Sequence, residues 1–303
     1  MLDFIVTSAI EHPSVLHACE YLASNAGFEL SVVSPDALGQ VAAEAVFEAV
    51  RPDTILVSLM SANNEVGTLQ PVAKVGEFCS NNGILFHTDA VQAAGKITID
   101  FPGWDVDFMT LSAHKIGGPQ GVGAVICSEH DMLRPIILGG GQERGLRAGT
   151  ENVAGIIGFG VASRLAMSEV EQATGYMAAL RDKLEETLRR EVPRISVFGG
   201  DMARLPNTSS LTMPGVRSDK QVMAFDLAGV VVSAGSACSA GKIESSHVLE
   251  AMGVDINEAI TAIRVSLGAK TTNSDLDQFL TVWLELWGRE SRCRDHENNR
   301  YVA

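Results

Sequence analysis

The sequence is short of basic and aromatic residues. Its 303 residues include 23 Lys and Arg against 37 Asp and Glu, which gives a formal net charge of −14 at pH 7, and only 6% of the residues are aromatic. Partners rich in phosphate require clusters of Lys and Arg. The charge balance therefore argues against a nucleic-acid or anionic-membrane surface, and it favours a compact neutral or zwitterionic substrate.

Long apolar runs are also missing. No uninterrupted apolar run reaches the ~18 residues that a membrane-spanning helix needs, and the N-terminus has no basic segment followed by an apolar one. The sequence therefore predicts a cytoplasmic protein. The hydrophobic content of 46% is enough for a substantial core, and the length predicts either two domains or one large and one small domain.

The few cysteines show no C-x-x-C spacing, which argues against a zinc site or a disulfide framework. Three of them fall in apolar patterns typical of buried cysteines, namely Cys19, Cys79 and Cys127. Cys238 differs, because it lies among small residues that cannot pack a core. We expect residues 233–245 to form a mobile loop that carries this cysteine.

Apolar strands alternate with helical patterns along the first half of the chain. Such alternation is typical of an α/β fold with a mostly parallel sheet. The predicted strands cover residues 4–10, 28–33, 54–60, 84–87 and 107–112, and the predicted helices begin near residues 13, 36 and 71.

The second half of the chain predicts a smaller domain. A long helical pattern over residues 151–190 is expected to connect the two domains, and a final helix begins near Ser274. Further strands are predicted at residues 209–213, 230–233 and 262–267. We predict a large cofactor-binding domain over residues 1–165 and a small α+β domain over residues 166–303, with a disordered charged tail at 289–303.

Lys115 is the first candidate for chemistry. It follows the strand at 107–112 and precedes Gly117 and Gly118, which turn the chain. A lysine amine held, partly desolvated, at the edge of an open α/β sheet is suited to Schiff-base chemistry. The alternative is an exposed lysine in a turn, which is the usual location of a lysine.

Other polar side chains follow the neighbouring strands. His12, Asn63 and Asp89 each come just after a predicted strand, where the ligands of α/β folds collect. Each also has a structural interpretation: the asparagine as a turn former, Asp89 as a helix cap, and His12 as a cap or a half-buried histidine. Their recurrence at one type of sheet edge predicts a shared site.

Five motifs occur in a fixed order along the chain: Ala62-Asn-Asn-Glu-Val-Gly67, His87-Thr-Asp-Ala-Val-Gln92, Ser112-Ala-His-Lys-Ile-Gly-Gly-Pro119, Gly139-Gly-Gly-Gln-Glu-Arg-Gly-Leu-Arg-Ala-Gly-Thr150 and Ser233-Ala-Gly-Ser-Ala-Cys-Ser-Ala-Gly241. Together they resemble the cysteine desulfurases of the NifS/IscS type, which are pyridoxal phosphate enzymes of aminotransferase class V. The resemblance extends from about Phe4 to Phe279. It implies the aspartate aminotransferase-like architecture known as fold type I.

The resemblance implies a role for each cofactor-binding residue. Lys115 would hold pyridoxal 5'-phosphate covalently and later move the substrate's α-proton. Asp89 would face the pyridine nitrogen, where a carboxylate stabilises the protonated ring. Gln92 would bind the ring hydroxyl, and His12 would stack on the ring and transfer protons.

The resemblance also implies groups for the phosphate and the substrate. Ser112 and His114 would donate to the cofactor phosphate, and Thr150 would be supplied by a neighbouring subunit, which implies a homodimer. Arg264 would bind the α-carboxylate of L-cysteine through its planar guanidinium. Asn63 would contact both the cofactor and that carboxylate.

Cys238 is implied to be the sulfur carrier. It would attack the sulfur of the bound substrate, leave alanine, and carry a persulfide to an acceptor or scaffold protein. A thiolate is the competent form, and nearby cations favour it. The competing interpretation is a buried structural cysteine. The small-residue motif resembles the enzymes that serve iron–sulfur cluster assembly and thio-modification.

One family feature is not found. Members normally begin with a Gly-Ala-Thr-Glu-type turn that binds the cofactor phosphate at a helix N-terminus, and no such turn precedes Thr7. We therefore expect weakened cofactor binding and an exposed sheet edge or apolar patch. Two alternatives stay open: a weakly active or inactive chain that acts as a pairing module, and another class V lyase such as a selenocysteine lyase.

Overall fold

A computed structural model describes residues 3–129, 133–234 and 245–300, with side chains up to residue 292. Its larger sheet has six strands in the order β2-β1-β3-β4-β5-β6. The first five are parallel and β6 is antiparallel to β5. The strands are β1 (Phe4–Ser8), β2 (Glu29–Val33), β3 (Thr54–Ser58), β4 (Leu85–Asp89), β5 (Phe108–Ser112) and β6 (Gly123–Cys127).

The smaller sheet is antiparallel and has the order β7-β8-β10-β9. Its strands are β7 (Val197–Phe198), β8 (Thr208–Thr212), β9 (Ser233–Ala234) and β10 (Ala262–Ser266). The predicted α/β class with a mostly parallel sheet and an additional α+β part is therefore confirmed. The strand predicted at 230–233 is displaced, because β9 begins only at Ser233.

The described residues form eight α-helices. They are α1 (Pro13–Asn25), α2 (Ala43–Ala49), α3 (Val72–Asn82), α4 (Val153–Glu191), α5 (Ser218–Leu227), α6 (His247–Ala251), α7 (Ile256–Ala259) and α8 (Asn273–Arg300). A short 3₁₀ helix, Ala113–Ile116, follows β5 directly. Most helices of the first half follow a strand, which is the connectivity that keeps neighbouring strands parallel.

Two helix predictions need correction. The second helix begins at Ala43 rather than near residue 36, because the Asp36 side chain accepts the backbone N–H groups of Leu38 and Gln40 and closes a turn. The tail predicted to be disordered continues α8 as far as Arg300. Glycine in a helix costs only about 1 kcal/mol, so Gly288 does not end α8.

The buried apolar side chains form two clusters. The first lies around the six-stranded sheet, where all five residues of β1 are buried because both faces of the sheet are covered. The second lies between the small sheet and helices α4, α5 and α8, and it contains the fully buried Trp283. Cys19 and Cys79 are buried as predicted, whereas Cys127 on the edge strand β6 is only half-buried.

Helix α4 contacts both parts of the molecule. Its C-terminal half buries Leu180, Leu184 and Leu188 in the second cluster. Its N-terminal half approaches the segment after the 3₁₀ helix so closely that a Cβ added at Gly118 would lie 3.2 Å from Ala162 Cβ. The domain boundary at residue 165 falls within this helix and stays a prediction.

The N-terminal half of α4 exposes an apolar surface. Val153, Ile157 and Leu165 have between 54% and 62% of their surface exposed, and Ile136 and Leu138 of the preceding segment are 94% and 79% exposed. By length and composition alone α4 could span a membrane. Its buried C-terminal half shows instead that it is a structural helix of the fold. We define Ile136–Leu138 together with this half of α4 as the α4 face.

Candidate active site

The parallel strands bring several polar side chains to one edge of the large sheet. His12, Asp89 and Lys115 follow or end strands β1, β4 and β5 at their carboxyl ends, and these strands belong to one sheet. The pKa of His12 responds to both of the other residues. Burial lowers the pKa of His12, nearby Asp89 raises it, and nearby Lys115 lowers it again. The structure thus places these three predicted residues together.

Asp89 is a buried carboxylate without an ion pair among the described residues. It is 7% exposed, and its Oδ1 accepts the backbone N–H of Val91 at 2.9 Å. No Lys, Arg or His nitrogen described in the structure lies within 4.0 Å of it. Burial raises the pKa of Asp89, and this effect outweighs the lowering by Val91, His12 and Lys115. A charge held in this way is available to a cationic ligand.

Lys115 lies in the 3₁₀ helix, three residues after the end of β5. We expected its amine to be partly desolvated, but its side chain is exposed. The reason is local: the helix is a single turn at the sheet edge, and Gly117, with φ of 81°, and Gly118 follow it without side chains to cover the lysine. The amine is therefore accessible.

His12 combines a structural and a chemical position. It is the N-cap of α1, and its Nδ1 accepts the backbone N–H of Ser14 at 3.2 Å. The capping interpretation from the sequence is therefore confirmed. Because Nδ1 acts as the acceptor, Nε2 carries the proton of the neutral ring. Burial lowers the pKa of His12, so the neutral form predominates near pH 7.

The structure separates two adjacent asparagines. Asn63 is fully buried, and its Oδ1 accepts the N–H groups of Glu65 and Val66 while its Nδ2 donates to the carbonyl of Ile10. Nδ2 also lies 3.6 Å from Met60 Sδ, so the amide of Asn63 holds the loop, and the ligand contact expected of Asn63 stays a prediction that these bonds do not favour. Asn64 has a buried Oδ1 without a hydrogen-bond partner, and it takes Asn63's place as the candidate.

Arg264 reaches from β10 of the small sheet to the loop that carries Asn64. Its Nη1 donates to the carbonyl of Asn64 at 2.8 Å, and its Nη2 lies 3.4 Å from the Ser233 hydroxyl. Its Nε is buried without a partner. A guanidinium with an unused donor can bind a carboxylate. The predicted carboxylate-binding position is thus available.

The start of α6 is also held against the loops that follow β1 and β3. Ser246 caps α6 and donates its hydroxyl to Glu65, while His247 Nε2 lies 3.0 Å from the carbonyl of Glu11. Burial raises the pKa of Glu65, and Arg264 and His247 lower it. These contacts join the smaller domain to the strand ends that carry the candidate residues.

The predicted phosphate ligands differ in their surroundings. The Ser112 hydroxyl and His114 Nδ1 lie 2.8 Å apart at the end of β5, and His114 is exposed. Thr150 is exposed two residues before Asn152, the N-cap of α4. Among the described residues, no hydrogen bond joins Thr150 to Lys115 or Asp89. Cys238 lies outside the described residues.

Gln92 has a partner that the sequence interpretation missed. Lys96 Nζ lies 2.9 Å from Gln92 Oε1 and 2.8 Å from the carbonyl of Gln92. Lys96 follows Gln92 by four residues in a helical turn, and this i, i+4 spacing is the signal that could have identified it. Glu11 was also missed: it is fully buried, and burial raises its pKa to about 8.

Comparison with known proteins shows the family of the chain. Residues 2–279 match the sequence model described as aminotransferase class V. A cysteine desulfurase of Gluconacetobacter diazotrophicus is 42% identical over 278 residues, which make up 92% of this chain and 70% of the relative. The cysteine desulfurase IscS of Methanosarcina thermophila is 41% identical over 282 residues, 93% of this chain and 69% of the relative.

Solved structures agree with the sequence relatives. A NifS-like protein superimposes with a TM-score of 0.87 at 39% identity, covering 95% of this chain and 75% of that protein. A NifS-like protein of Rickettsia africae has a TM-score of 0.84 at 36% identity, covering 94% and 76%. These similarities extend over both sheets.

Proposed function

We propose a cysteine desulfurase function for this chain, because it belongs to the class V aminotransferase family. The reaction converts L-cysteine to L-alanine and retains the sulfur as a persulfide on Cys238. The observation that carries the proposal is the convergence of Asp89, His12 and Lys115 at one sheet edge, together with the unpartnered Nε of Arg264. The similar proteins named cysteine desulfurase support the same reaction.

The family's cofactor is pyridoxal 5'-phosphate, and the residues present fit it. Asp89 is a buried carboxylate without a cationic partner among the described residues, which suits a protonated pyridine nitrogen. Lys115 offers an accessible amine for the covalent link, and Ser112 and His114 offer donors for the phosphate. When bound, the cofactor supplies an electron sink for the substrate's α-carbon.

Arg264 and Asn64 are proposed to bind the amino-acid substrate. The buried Arg264 Nε and Asn64 Oδ1 are both without partners, and Arg264 already contacts the Asn64 carbonyl at 2.8 Å. The guanidinium binds the α-carboxylate, which orients the α-carbon toward Lys115. The Lys115 amine then removes the α-proton as a general base.

Cys238 is proposed to receive the sulfur. Its thiolate attacks the substrate sulfur, so that a sulfur–sulfur bond forms while the carbon–sulfur bond breaks. The electron pair of the broken bond stays with the carbon, which takes up a proton and is released as alanine. The step is balanced without an external oxidant. We propose an acceptor or scaffold protein of iron–sulfur cluster assembly or thio-modification as the destination, in the cytoplasm.

The active unit is proposed to be a homodimer. The α4 face exposes Ile136, Leu138, Val153, Ile157 and Leu165, and apolar patches of this kind mark association surfaces. Thr150 directly precedes this half of α4 and would be supplied to the partner's phosphate site. Ile157→Glu is expected to give a monomer in sedimentation, whereas Leu227→Glu, at a 90% exposed position outside this face, is expected not to change the oligomer.

The proposed function is tested by trapping the cofactor. After incubation with pyridoxal phosphate, borohydride reduction and peptide mapping should locate the modification on Lys115, and L-cysteine should give alanine. Lys115→Ala should abolish both results, whereas Lys74→Ala, which changes an exposed lysine paired with Glu44, should not. Cys238→Ala should retain the cofactor's absorption and lose sulfur transfer. Modification at another lysine would contradict the proposal.

Two results would favour the alternatives from the sequence. Failure to trap the cofactor on the purified chain would indicate an inactive chain that acts by pairing. Alanine formation from selenocysteine but not from cysteine would indicate a selenocysteine lyase. The relatives at about 40% identity named cysteine desulfurase do not favour either alternative.

A further inference from the structure

Lys96 makes an unusual pair of hydrogen bonds to a single residue. Its Nζ lies 2.8 Å from the Gln92 carbonyl oxygen and 2.9 Å from Gln92 Oε1. A lysine ammonium only donates, so Oε1 must be the acceptor. This fixes the orientation of the Gln92 amide: its oxygen is occupied by Lys96, and its Nε2 is the end left to donate to a ligand.

The charge of Lys96 is not neutralised by a nearby acid. Its side chain is half-buried, and no described carboxylate lies within 4.0 Å of Nζ. Burial, together with the charges of Lys115 and Arg264, lowers the pKa of Lys96 to about 8. Most lysines avoid this cost by extending into solvent. An unpaired cation beside the candidate active site therefore needs a reason beyond packing.

The backbone around Lys96 is held from two sides. Its N–H donates to the carbonyl of Ala93 at 3.0 Å, and its carbonyl accepts the Thr174 hydroxyl of α4 at 2.7 Å. Gly95 has φ of 69°, and a Cβ there would lie 3.3 Å from Cγ2 of Ile116, which follows Lys115. The position of Lys96 is thus set by α4 and by the 3₁₀ helix that carries Lys115.

We propose that Lys96 is a positioning residue for the cofactor: it holds the amide oxygen of Gln92, so that the amide nitrogen donates to the ring oxygen of pyridoxal phosphate. This inference rests on the proposed function and adds a role for Lys96 in binding the cofactor. The charge of Lys96 also polarises the amide, which strengthens the donation. A stronger donor makes the ring oxygen less basic, and the bound cofactor then loses its proton at a lower pH.

The simpler explanation is that Lys96 only braces the turn between residues 90 and 97. The two explanations differ in what they change. A brace affects the thermal stability of the chain and leaves the spectrum of bound cofactor alone. A positioning residue changes the pH midpoint of the visible absorption of bound cofactor, and it does so only while Gln92 is present.

The experiment is a double-mutant cycle on the full chain loaded with pyridoxal phosphate. The pH midpoint of the visible absorption change is measured for the unaltered protein, Lys96→Met, Gln92→Ala and the double variant. We expect Lys96→Met to raise the midpoint by about one pH unit, a tenfold change in proton affinity. The double variant should shift no further than Gln92→Ala alone, because Lys96 acts through Gln92.

Two controls complete the experiment. Lys96→Arg keeps the charge and the donors and should leave the midpoint within about 0.3 pH units, which is small beside the tenfold change expected above. Lys74→Met removes an exposed lysine and should have no effect. Circular dichroism and thermal melting of each variant without cofactor show whether it folds.

The outcomes are distinguishable. Additive shifts in the double variant, or an unchanged midpoint in Lys96→Met with lowered thermal stability, would overturn the inference and leave the proposed function intact. If Lys96→Met does not fold, the test rests on Gln92→Ala. An unchanged pH midpoint of the cofactor absorption in Gln92→Ala also overturns the inference. Absence of cofactor absorption in the unaltered protein would overturn the proposed function and this inference together.

Discussion

Among the described residues, buried ionisable groups of the smaller domain and of the large sheet's edge are held differently. In the smaller domain, Glu185 is bound by both terminal nitrogens of Arg204 and by the Ser209 hydroxyl, and the side chains of the two charged residues are 3% and 4% exposed. At the edge of the large sheet, Glu11 Oε2 and Arg264 Nε are buried without partners. In the second cluster of buried apolar side chains, the unpartnered buried atoms belong to neutral groups, such as Trp283 Nε1.

The difference separates structural charges from functional ones. A buried charge is tolerated for structure only when it is paired and fully hydrogen-bonded. Ionisable groups at the sheet edge are only partly hydrogen-bonded, chiefly to the backbone, and the rest of their bonding capacity stays free for a ligand. Variants can break each cluster in turn and so test this comparison.

The largest effect is expected from Arg204→Met. The change leaves Glu185 as a buried carboxylate without its cation, which should lower the free energy of unfolding by about 3–5 kcal/mol. Urea unfolding measures this loss. Activity per folded molecule should stay the same because Arg204 does not contact the proposed site. A variant as stable as the unaltered protein would show that the pair is not structural.

Asp89→Asn should leave stability intact and lower activity, which is the opposite of the result expected for Arg204→Met. Replacing a buried, unpaired carboxylate by a neutral isostere removes a desolvation cost, so the stability of the chain without cofactor should be unchanged or higher. Cysteine desulfuration should fall by about 100- to 1000-fold, because the carboxylate stabilises charge in the reaction. Unfolding and alanine formation are measured on the same preparation. A large loss of stability would place Asp89 with the structural charges.

The two neighbouring asparagines offer a matched pair. Asn63→Ala leaves the buried N–H groups of Glu65 and Val66 without acceptors, so it should cost about 2–3 kcal/mol of stability. Asn64→Ala should leave stability within about 0.5 kcal/mol and raise KM for cysteine. Urea unfolding and initial rates distinguish them. The reverse pattern would restore Asn63 as the ligand contact.

Glu11→Gln tests the same comparison through the pH dependence of stability. Burial raises the pKa of Glu11 from 4.5 to about 8, so the folded state keeps a proton that the unfolded state releases. The stability of the unaltered protein should therefore fall as pH rises between about 4.5 and 8, by up to about 1.4 kcal/mol per pH unit. Urea unfolding at pH 5.5, 7 and 8.5 should show a flatter profile for Glu11→Gln. Parallel profiles would show that Glu11 is ionised when folded.

Much of the fold follows from local patterns in the sequence. Strand β1 is recognisable because both of its faces are buried, and the predicted starts of β1 and β3 agree with the structure. Strands β6 and β7 were missed. β6 follows a glycine-rich turn, and its Val125 is 54% exposed, so it lacks the signal of a buried strand. β7 has two residues, too few for any periodicity.

The sequence predicts which residues lie together at the site, but not which of their atoms are free to bind a ligand. Strand ends place His12, Asp89 and Lys115 together, because parallel strands share one carboxyl edge. Two identical adjacent residues cannot be ranked by sequence, and only the fold of the loop shows that Asn63 is used internally. The partner of Gln92 was missed because a lysine in a polar turn is usually exposed.

The length of α4 has a consequence for how this family can vary. The helix has 39 residues, or about 58 Å at 1.5 Å per residue. Its C-terminal half packs in the second cluster, and its N-terminal half contacts the segment around the 3₁₀ helix. One inserted residue between Ala162 and Leu180 would rotate one half by about 100° relative to the other. Insertions and deletions among natural relatives should therefore be absent from this stretch or come as whole turns, which an alignment of solved homologues can check.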